Sequence, residues 1–391
     1  MAEQADSPAS DRRLALFLPN LGGGGAERVA LALLQGFLDN GHPVDLVLAR
    51  REGALLPMVP PGVEIVDLGA TKLRQSVAPL VRYLRARRPY ALHAMMWPSP
   101  VLAIIARAIA GVDARIVGSE HTTLSAMPHA LRHRAVRALT RRAYARLDGL
   151  VAVSAGVADD LSRFVGVPRD RVTVIHNPLL LPDILPDPDL RIARWPADTK
   201  RILAVGALKS EKNYPLLLRA LARVRARIPA SLVILGEGPL RGELERLIAN
   251  LGLDGAVVLA GFDADPWPWY AAADLFAMSS DCEGLPTVLI EALHAGLPIV
   301  STDCPSGPRE ILVNGRFGTL VPRNDDASFA SALRSALEAP RDDQTGRTRA
   351  KQLTGPAILD RHLSLMVGQS ADDQCSTALH DEPYPHDVSD L

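Results

Sequence analysis

The chain has 391 residues, too many for one hydrophobic core of ordinary size, so two or three domains of about 100–200 residues each are expected. Apolar residues make up 48% and charged residues 22%, which excludes a largely disordered chain. The formal net charge of −1 sets aside a general nucleic-acid binder, since such proteins carry a strong basic excess. Cys282, Cys304 and Cys375 are odd in number and lack CxxC spacing, so neither a disulfide framework nor a zinc site is expected, and a reducing compartment fits. The opening MAEQADSPASDRR is polar and bears acids, unlike a signal peptide, and residues 1–12 are expected to be flexible. The longest apolar stretch, 101–110, is interrupted by Arg107 and falls short of the ~20 residues a spanning helix needs. A cytoplasmic location is expected.

Apolar strand-like runs alternate with helical stretches along the first half. Residues 14–18 read as a buried strand, 22–25 as a glycine turn and 26–38 as an amphipathic helix. Strands follow at 44–49, 63–68, 91–95, 116–119, 149–154 and 172–176, with helices at 76–87, 101–110 and 131–147. Residues 177–200 (NPLLLPDILPDPDLRIARWPADTK) are rich in Pro and Asp, as a connection between domains is. The alternation then restarts, with strands at 201–206, 231–235, 257–260, 275–279 and 299–302 and helices at 214–225, 240–251 and 286–295. Short apolar strands separated by helices predict parallel sheets covered on both faces. The expected fold is therefore α/β, with two Rossmann-like doubly wound domains facing a cleft. They are assigned to 13–180 and 201–345, joined by a linker at 181–200 and followed by a helix and a partly disordered tail at 346–391. In such sheets ligands bind outside the carboxyl ends of the strands.

The segment 281–302 carries the most chemistry. It runs from a strand through a tight turn at Gly284 into a helix, with Pro286 placed near the first helical position, where a missing N–H costs nothing. The helix start offers free N–H groups and a positive dipole end to a phosphate. Glu283 stands just before the turn, and Glu291 lies about one and a half helical turns beyond Pro286, where a carboxylate can accept hydrogen bonds from vicinal hydroxyls such as those of a ribose. One segment thereby supplies a seat for a diphosphate, a ribose acceptor and a carboxylate near a sugar.

This segment, Glu283-Gly-Leu-Pro-Thr-Val-Leu-Ile-Glu291-Ala, resembles the E-x7-E donor motif of the retaining GT-B glycosyltransferases of family 4. The resemblance spans roughly 14–320 and is supported by LGGGGAER at 21–28, GSEH at 118–121, VAVS at 151–154, VIHNP at 174–178, LGEG at 235–238 and Gly261-Phe262. It implies that Glu291 holds the donor ribose and that Glu283 contacts the transferred sugar. Backbone amides around Leu285, Thr287 and Val288 would meet the diphosphate, Gly284 and Pro286 belong to the same donor-binding turn, and Gly261 and Phe262 would border the nucleobase. It further implies that His121 lies beside donor sugar and acceptor, and that helix ends and basic side chains neutralise the leaving diphosphate, with no bound metal and no cofactor beyond the nucleotide sugar. The family's Gly-Arg-Leu…Lys phosphate loop reads here Gly206-Ala207-Leu208-Lys209-Ser210-Glu211-Lys212. Lys212 is in place, but Ala207 stands where the family has arginine, a loss of about 1.5–3 kcal/mol if nothing replaces it. Lys209 is the other cation of that loop.

In the N-terminal half, Gly22 to Gly25 follow the first strand and open a helix; glycines admit a ligand close to backbone amides. Gly23 and Gly24 are accordingly assigned to the donor side of the cleft. Glu27 stands where a third fingerprint glycine would be, and the second strand ends in Arg50-Arg51 without an acidic ribose ligand, so NAD is disfavoured. The stretch HALRHRAVRALTRRAYAR, from His129 to Arg146, carries several arginines and no acid. Arg134, Arg137 and Arg141 share one helical face, opposite Leu131, Val136, Leu139, Ala143 and Leu147. Such a helix is either a solvated basic face or a contact with anionic lipid or a lipid-diphosphate acceptor at the inner face of the cytoplasmic membrane. The reading is a transferase moving a hexose or N-acetylhexosamine from a nucleoside diphosphate, UDP by preference, to a glycan or lipid-linked acceptor of the cell surface, with no nucleic-acid partner. Competing readings are a sugar-nucleotide epimerase or phosphorylase of the same fold, or a catalytically silent scaffold kept in play by Ala207.

Overall fold

A computed structural model describes residues 12–126, 133–192, 194–339 and 343–368. The N-terminal half is built on β1 (Leu14–Leu18), β2 (Val44–Leu48), β3 (Glu64–Asp67), β4 (Ala91–Met95), β5 (Arg115–Glu120), β6 (Gly149–Ala152) and β7 (Thr173–Val174). The C-terminal half is built on β8 (Lys200–Val205), β9 (Ala230–Leu235), β10 (Val257–Gly261), β11 (Leu275–Met278), β12 (Ile299–Thr302) and β13 (Thr319–Val321). The first sheet runs β3-β2-β1-β4-β5-β6-β7 and the second β10-β9-β8-β11-β12-β13, with parallel pairing between neighbours. Both follow the 3-2-1-4-5-6 order of a doubly wound sheet. The chain order reverses beside β1 in one half and beside β8 in the other, so the loops after β1 and β4, and those after β8 and β11, open onto the same crevice.

The central strands read as continuous apolar runs because both faces are covered, whereas the edge strand β3 begins and ends in exposed acids. LALFL of β1 is wholly buried, and so are the five residues of β2. The Gly25–Asp39 helix buries Val29, Leu33, Leu34 and Phe37 against the first sheet. The C-terminal half has its own core, in which Leu217 and Leu221 of the Tyr214–Arg225 helix pack with Leu232, Ile234 and Phe329. A third cluster is shared: Leu285, Leu289 and Ile311 of the second half join the same apolar body as Phe17, Leu92 and Val153 of the first.

The predicted strands are present within one or two residues at their ends, and β13 is added to them. Residues 343–354 form one helix and Pro356–Val367 another, and the second of these returns to the N-terminal half. There Ile358 and Met366 enter the core around Leu16 and Val117. Tyr90 donates its hydroxyl to the Val367 carbonyl (3.0 Å) and Arg115 Nε donates to that of Leu365 (3.2 Å). A methyl group on Gly36 would meet Leu359 at 2.1 Å, so the two helices approach closely. Residues 1–11 and 369–391, where flexibility was expected, lie outside the described residues. No helix among the described residues is long and apolar enough to cross a membrane.

The Arg134–Tyr144 helix has the expected basic surface but a different apolar stripe. Thr140, Ala143, Tyr144 and Leu147 are buried, whereas Leu139, expected on that stripe, is 50% exposed. It sits at the rim, about 100° from Thr140 around the helix axis. Arg137 lies over the Phe164 ring, 5.1 Å from its centre. His129 to Arg132 fall outside the described residues.

Candidate donor and active site

The Thr287–His294 helix starts at the crevice, directly after the β11 loop. Pro286 is its cap residue, with extended ψ of 102°, one position earlier than the expected first helical residue. Fixed φ and a missing N–H suit a proline at either place. Gly284 is the hinge of the site. Its carbonyl accepts from the Ser154 and Ser306 hydroxyls (2.9 and 2.8 Å), and Asn177 donates its side-chain amide to the Leu285 carbonyl (3.3 Å). Gly284 also pairs with Thr122 in an isolated antiparallel bridge. The turn is thereby held from both halves, and a side chain there would strike the His121 carbonyl at 2.0 Å.

Lys212 and Glu283 form an ion pair at 2.6 Å, both largely buried. Burial alone would lower the lysine's pKa; the Glu283 charge and hydrogen bond, with help from Glu211, outweigh it and leave it raised. Lys212 is thus fixed as an ammonium beside the mouth of the Thr287–His294 helix. Gly206, at φ +157°, lets the loop pass close to Lys212 and to Tyr214, whose hydroxyl donates to the Gly206 carbonyl (2.8 Å).

Glu291 is 5% exposed and accepts a 2.7 Å hydrogen bond from the Tyr270 hydroxyl. Burial raises its pKa, partly offset by the Arg28 guanidinium and the tyrosine bond. Gly261, at φ +85°, ends β10 and leads to Phe262, which stays 36% exposed. The N-terminal loop closes on this surface. A methyl group on Gly23 would meet the Phe262 ring at 2.6 Å, and one on Gly25 would meet the Thr287 hydroxyl at 3.2 Å. Gly24 caps the Gly25–Asp39 helix, and the Glu27 carboxylate folds back over it. The starts of the two helices therefore lie against each other, which brings the positive end of each dipole to the same place.

His121 follows β5 and is half-buried, its Nε2 2.9 Å from the Ser119 hydroxyl. Burial, with the neighbouring His362, depresses its pKa to about 3, so the ring is neutral at physiological pH. Glu120, the adjacent acid, points away from His121 into the core of the N-terminal half. It is fully buried, held by the Tyr144 hydroxyl and by the Trp97 backbone N–H (3.2 Å), and burial lifts its pKa to about 7.

The structure thus brings Gly23, Gly24, Lys212, Gly261, Phe262, Glu283, Gly284, Leu285, Pro286, Thr287, Val288 and Glu291 around one crevice, with His121 touching it through Gly284. Val288 contributes a carbonyl to the Tyr270 hydroxyl (3.4 Å). Sequence reasoning did not identify Tyr270, Arg28, Ser154, Ser306 or Asn177. Ser154 and Asn177 lie within the motifs VAVS and VIHNP, whose role becomes plain only when they are seen grasping the 284–285 carbonyls. Arg28 closes the motif LGGGGAER, where its reach across to the second half is likewise visible only in the fold, and Tyr270 carries no local pattern that marks it.

Comparison with known proteins agrees with the fold. Residues 188–353 match the family model of the glycosyl transferases group 1, and residues 23–179 match that of glycosyltransferase family 4. The Campylobacter jejuni N-acetylgalactosamine-N,N'-diacetylbacillosaminyl-diphospho-undecaprenol 4-alpha-N-acetylgalactosaminyltransferase is 30% identical over 385 residues, covering 91% of this chain and 100% of its own length. The Escherichia coli lipopolysaccharide 1,6-galactosyltransferase is 26% identical, with 68% of this chain and 71% of that protein aligned. Among solved structures, Anabaena HepE in complex with UDP and glucose superposes with a TM-score of 0.77 at 20% identity, covering 92% of this chain and 100% of that one. Two doubly wound halves meeting at an E-x7-E segment, and a relative matched along its whole length, place this chain in the glycosyl transferases group 1, as a glycosyltransferase of the GT-B fold with a family 4 N-terminal domain.

Proposed function

We propose that the protein is a retaining transferase that moves a hexose or N-acetylhexosamine from a UDP-sugar to a glycan or lipid-linked acceptor, in the assembly of cell-surface polysaccharide or glycolipid. The observation that carries this reading is the buried Glu291 carboxylate inside the Thr287–His294 helix, held by Tyr270; its other oxygen would accept from ribose hydroxyls. The Phe262 ring would border the base, and the diphosphate would sit between the two helix starts with Lys212 beside it. Charge gathers on the diphosphate as the glycosidic bond breaks, and fixed dipoles with a preset ammonium stabilise it without reorganising. Donor binding would draw Lys212 from Glu283 toward phosphate and leave the carboxylate facing the transferred sugar. His121, neutral at physiological pH, would hydrogen-bond sugar hydroxyls as a dipole and bring no charge to the anomeric centre.

The acceptor class is supported by the relatives, one named for a diphospho-undecaprenol acceptor and another for lipopolysaccharide; HepE, solved with UDP and glucose, supports the donor. The exposed Leu139 at the rim of a helix bearing Arg134, Arg141 and Arg142 suits peripheral contact with an anionic membrane. The test is UDP release from UDP-glucose, UDP-galactose and their N-acetylated counterparts in the presence of EDTA and undecaprenyl-diphosphate-linked sugars. Acceptor-dependent release with one donor is expected. A strict metal requirement, or conversion of the UDP-sugar to its epimer without acceptor, would contradict the proposal.

A further inference from the structure

The phosphate loop after β8 is one cation short, because Ala207 carries no donor and Lys212 is engaged with Glu283. Lys209, the remaining cation of that loop, is exposed and faces Glu27 across the crevice. A different cation reaches the same space from the opposite half. Arg28 is the fourth residue of the Gly25–Asp39 helix, and helical side chains lean toward the N-terminus of their helix. Its guanidinium accordingly projects past Gly24 and Gly25 into the C-terminal half, where Nη2 donates to the Ala264 carbonyl (3.0 Å). Ala264 lies two residues beyond Phe262. The same guanidinium is close enough to Glu291 to pull that carboxyl's pKa down against burial. Gly23 on Phe262 and Gly25 on Thr287 hold the backbone before Arg28 in register with these groups. Arg28 is half-buried and forms no ion pair among the described residues.

We propose that Arg28 is the donor-phosphate cation that stands in for the missing arginine at Ala207, delivered across the crevice from the N-terminal half. The inference rests on the donor-site reading above and adds a residue and a consequence to it. The guanidinium is bracketed by the base loop, the ribose carboxylate and the start of the Thr287–His294 helix, which is where a nucleoside's phosphates would lie. On binding it exchanges a neutral carbonyl for phosphate oxygens, which a guanidinium can grip with two parallel bonds of roughly twice the strength. Donor affinity then depends on both halves, and the phosphates draw the crevice shut.

The test is binding of UDP by calorimetry and of uridine by ligand-observed NMR, for the wild type and for Arg28→Ala, Arg28→Lys and Lys209→Ala. Arg28→Ala should weaken UDP by about tenfold to a hundredfold and leave uridine within about twofold. Arg28→Lys should fall between, and adding Ala207→Arg to Arg28→Ala should recover most of the loss. Thermal unfolding without ligand checks that each variant folds. Equal losses for uridine and UDP would reduce Arg28 to a latch on Ala264 and overturn the proposal. Unchanged UDP affinity in Arg28→Ala, or a loss carried by Lys209→Ala instead, would overturn it as well. A wild type that binds no UDP would sink the donor-site reading itself, a result distinct from any of these.

Discussion

Replacing Gly284 by alanine tests how tightly the two halves must meet for chemistry. The new methyl would lie 2.0 Å from the His121 carbonyl oxygen, 2.6 Å from its carbon and 3.0 Å from the Thr122 nitrogen. All three are backbone atoms, so no side-chain rotation relieves the contact. The His121–Thr122 segment must retreat by roughly 1 Å or more to restore van der Waals distance, breaking the Thr122–Gly284 bridge and moving His121 relative to Glu283. A displacement of that size at a reacting centre costs on the order of a hundredfold in turnover. The assay is steady-state UDP release from the preferred UDP-sugar, with unfolding curves to confirm an intact fold. Gly242→Ala is the control: nothing lies within 4 Å of its added methyl, and it sits in the Arg241–Asn250 helix. That variant should keep full activity and gain about 0.5–1 kcal/mol in stability. A Gly284→Ala enzyme within about twofold of wild-type kcat would refute the contact as a determinant of the active geometry.

Two other outcomes follow from side chains in and near the site. Glu283→Gln keeps the shape but removes the charge that holds Lys212, so kcat should drop by about tenfold or more while UDP affinity changes little; a fully active variant would remove Glu283 from the site. His362 lies on the returning Pro356–Val367 helix, and burial depresses its pKa to about 4, below the ~6.5 of an unfolded histidine. The unfolded chain therefore takes up the proton first, and the stability this neutral histidine permits is lost as pH falls from 6.5 toward 4. Relative to wild type, His362→Leu should gain about 1.4 kcal/mol per pH unit across that window, read from urea midpoints; a pH-independent offset would show that the ring is not held neutral.

Much of the architecture was legible because both sheets bury both faces. Apolar runs such as LALFL at 14–18 and SLVIL at 231–235 leave no alternation to confuse with an amphipathic strand. β13 escaped because three residues, the first of them exposed, are too few to show any period. The Asp326–Glu338 helix, absent from the expected elements, has a start signal in Asp325, whose carboxylate accepts from the Ser328 N–H (2.9 Å). Leu139 went wrong because a helical stripe read from spacing alone does not say where the neighbouring surface ends. The return of the C-terminal helix onto Tyr90 and Arg115 is a long-range contact that no local pattern encodes.

The site divides in the same way. Glu283 and Glu291 share one segment with a fixed spacing, His121 closes a motif that follows a strand, and Lys212 closes the phosphate-loop motif after β8, so local stretches of sequence could announce them. Arg28 and Tyr270 act on Glu291 from elsewhere in the chain, 263 and 21 positions away respectively; only the folded arrangement brings them together. Ala207, the position where the family pattern fails, is also the place where the three-dimensional structure offers a substitute from the opposite half.

The central claim is that Glu291 is the ribose anchor of a nucleotide-sugar donor site, and calorimetry of UDP, GDP and ADP on the wild type and on Glu291→Ala tests it most directly. The wild type should bind UDP selectively, and the variant should lose about tenfold to a hundredfold in affinity with its fold unchanged. Binding of UDP with equal affinity by both proteins, or no binding of any of the three nucleotides by the wild type, would contradict it.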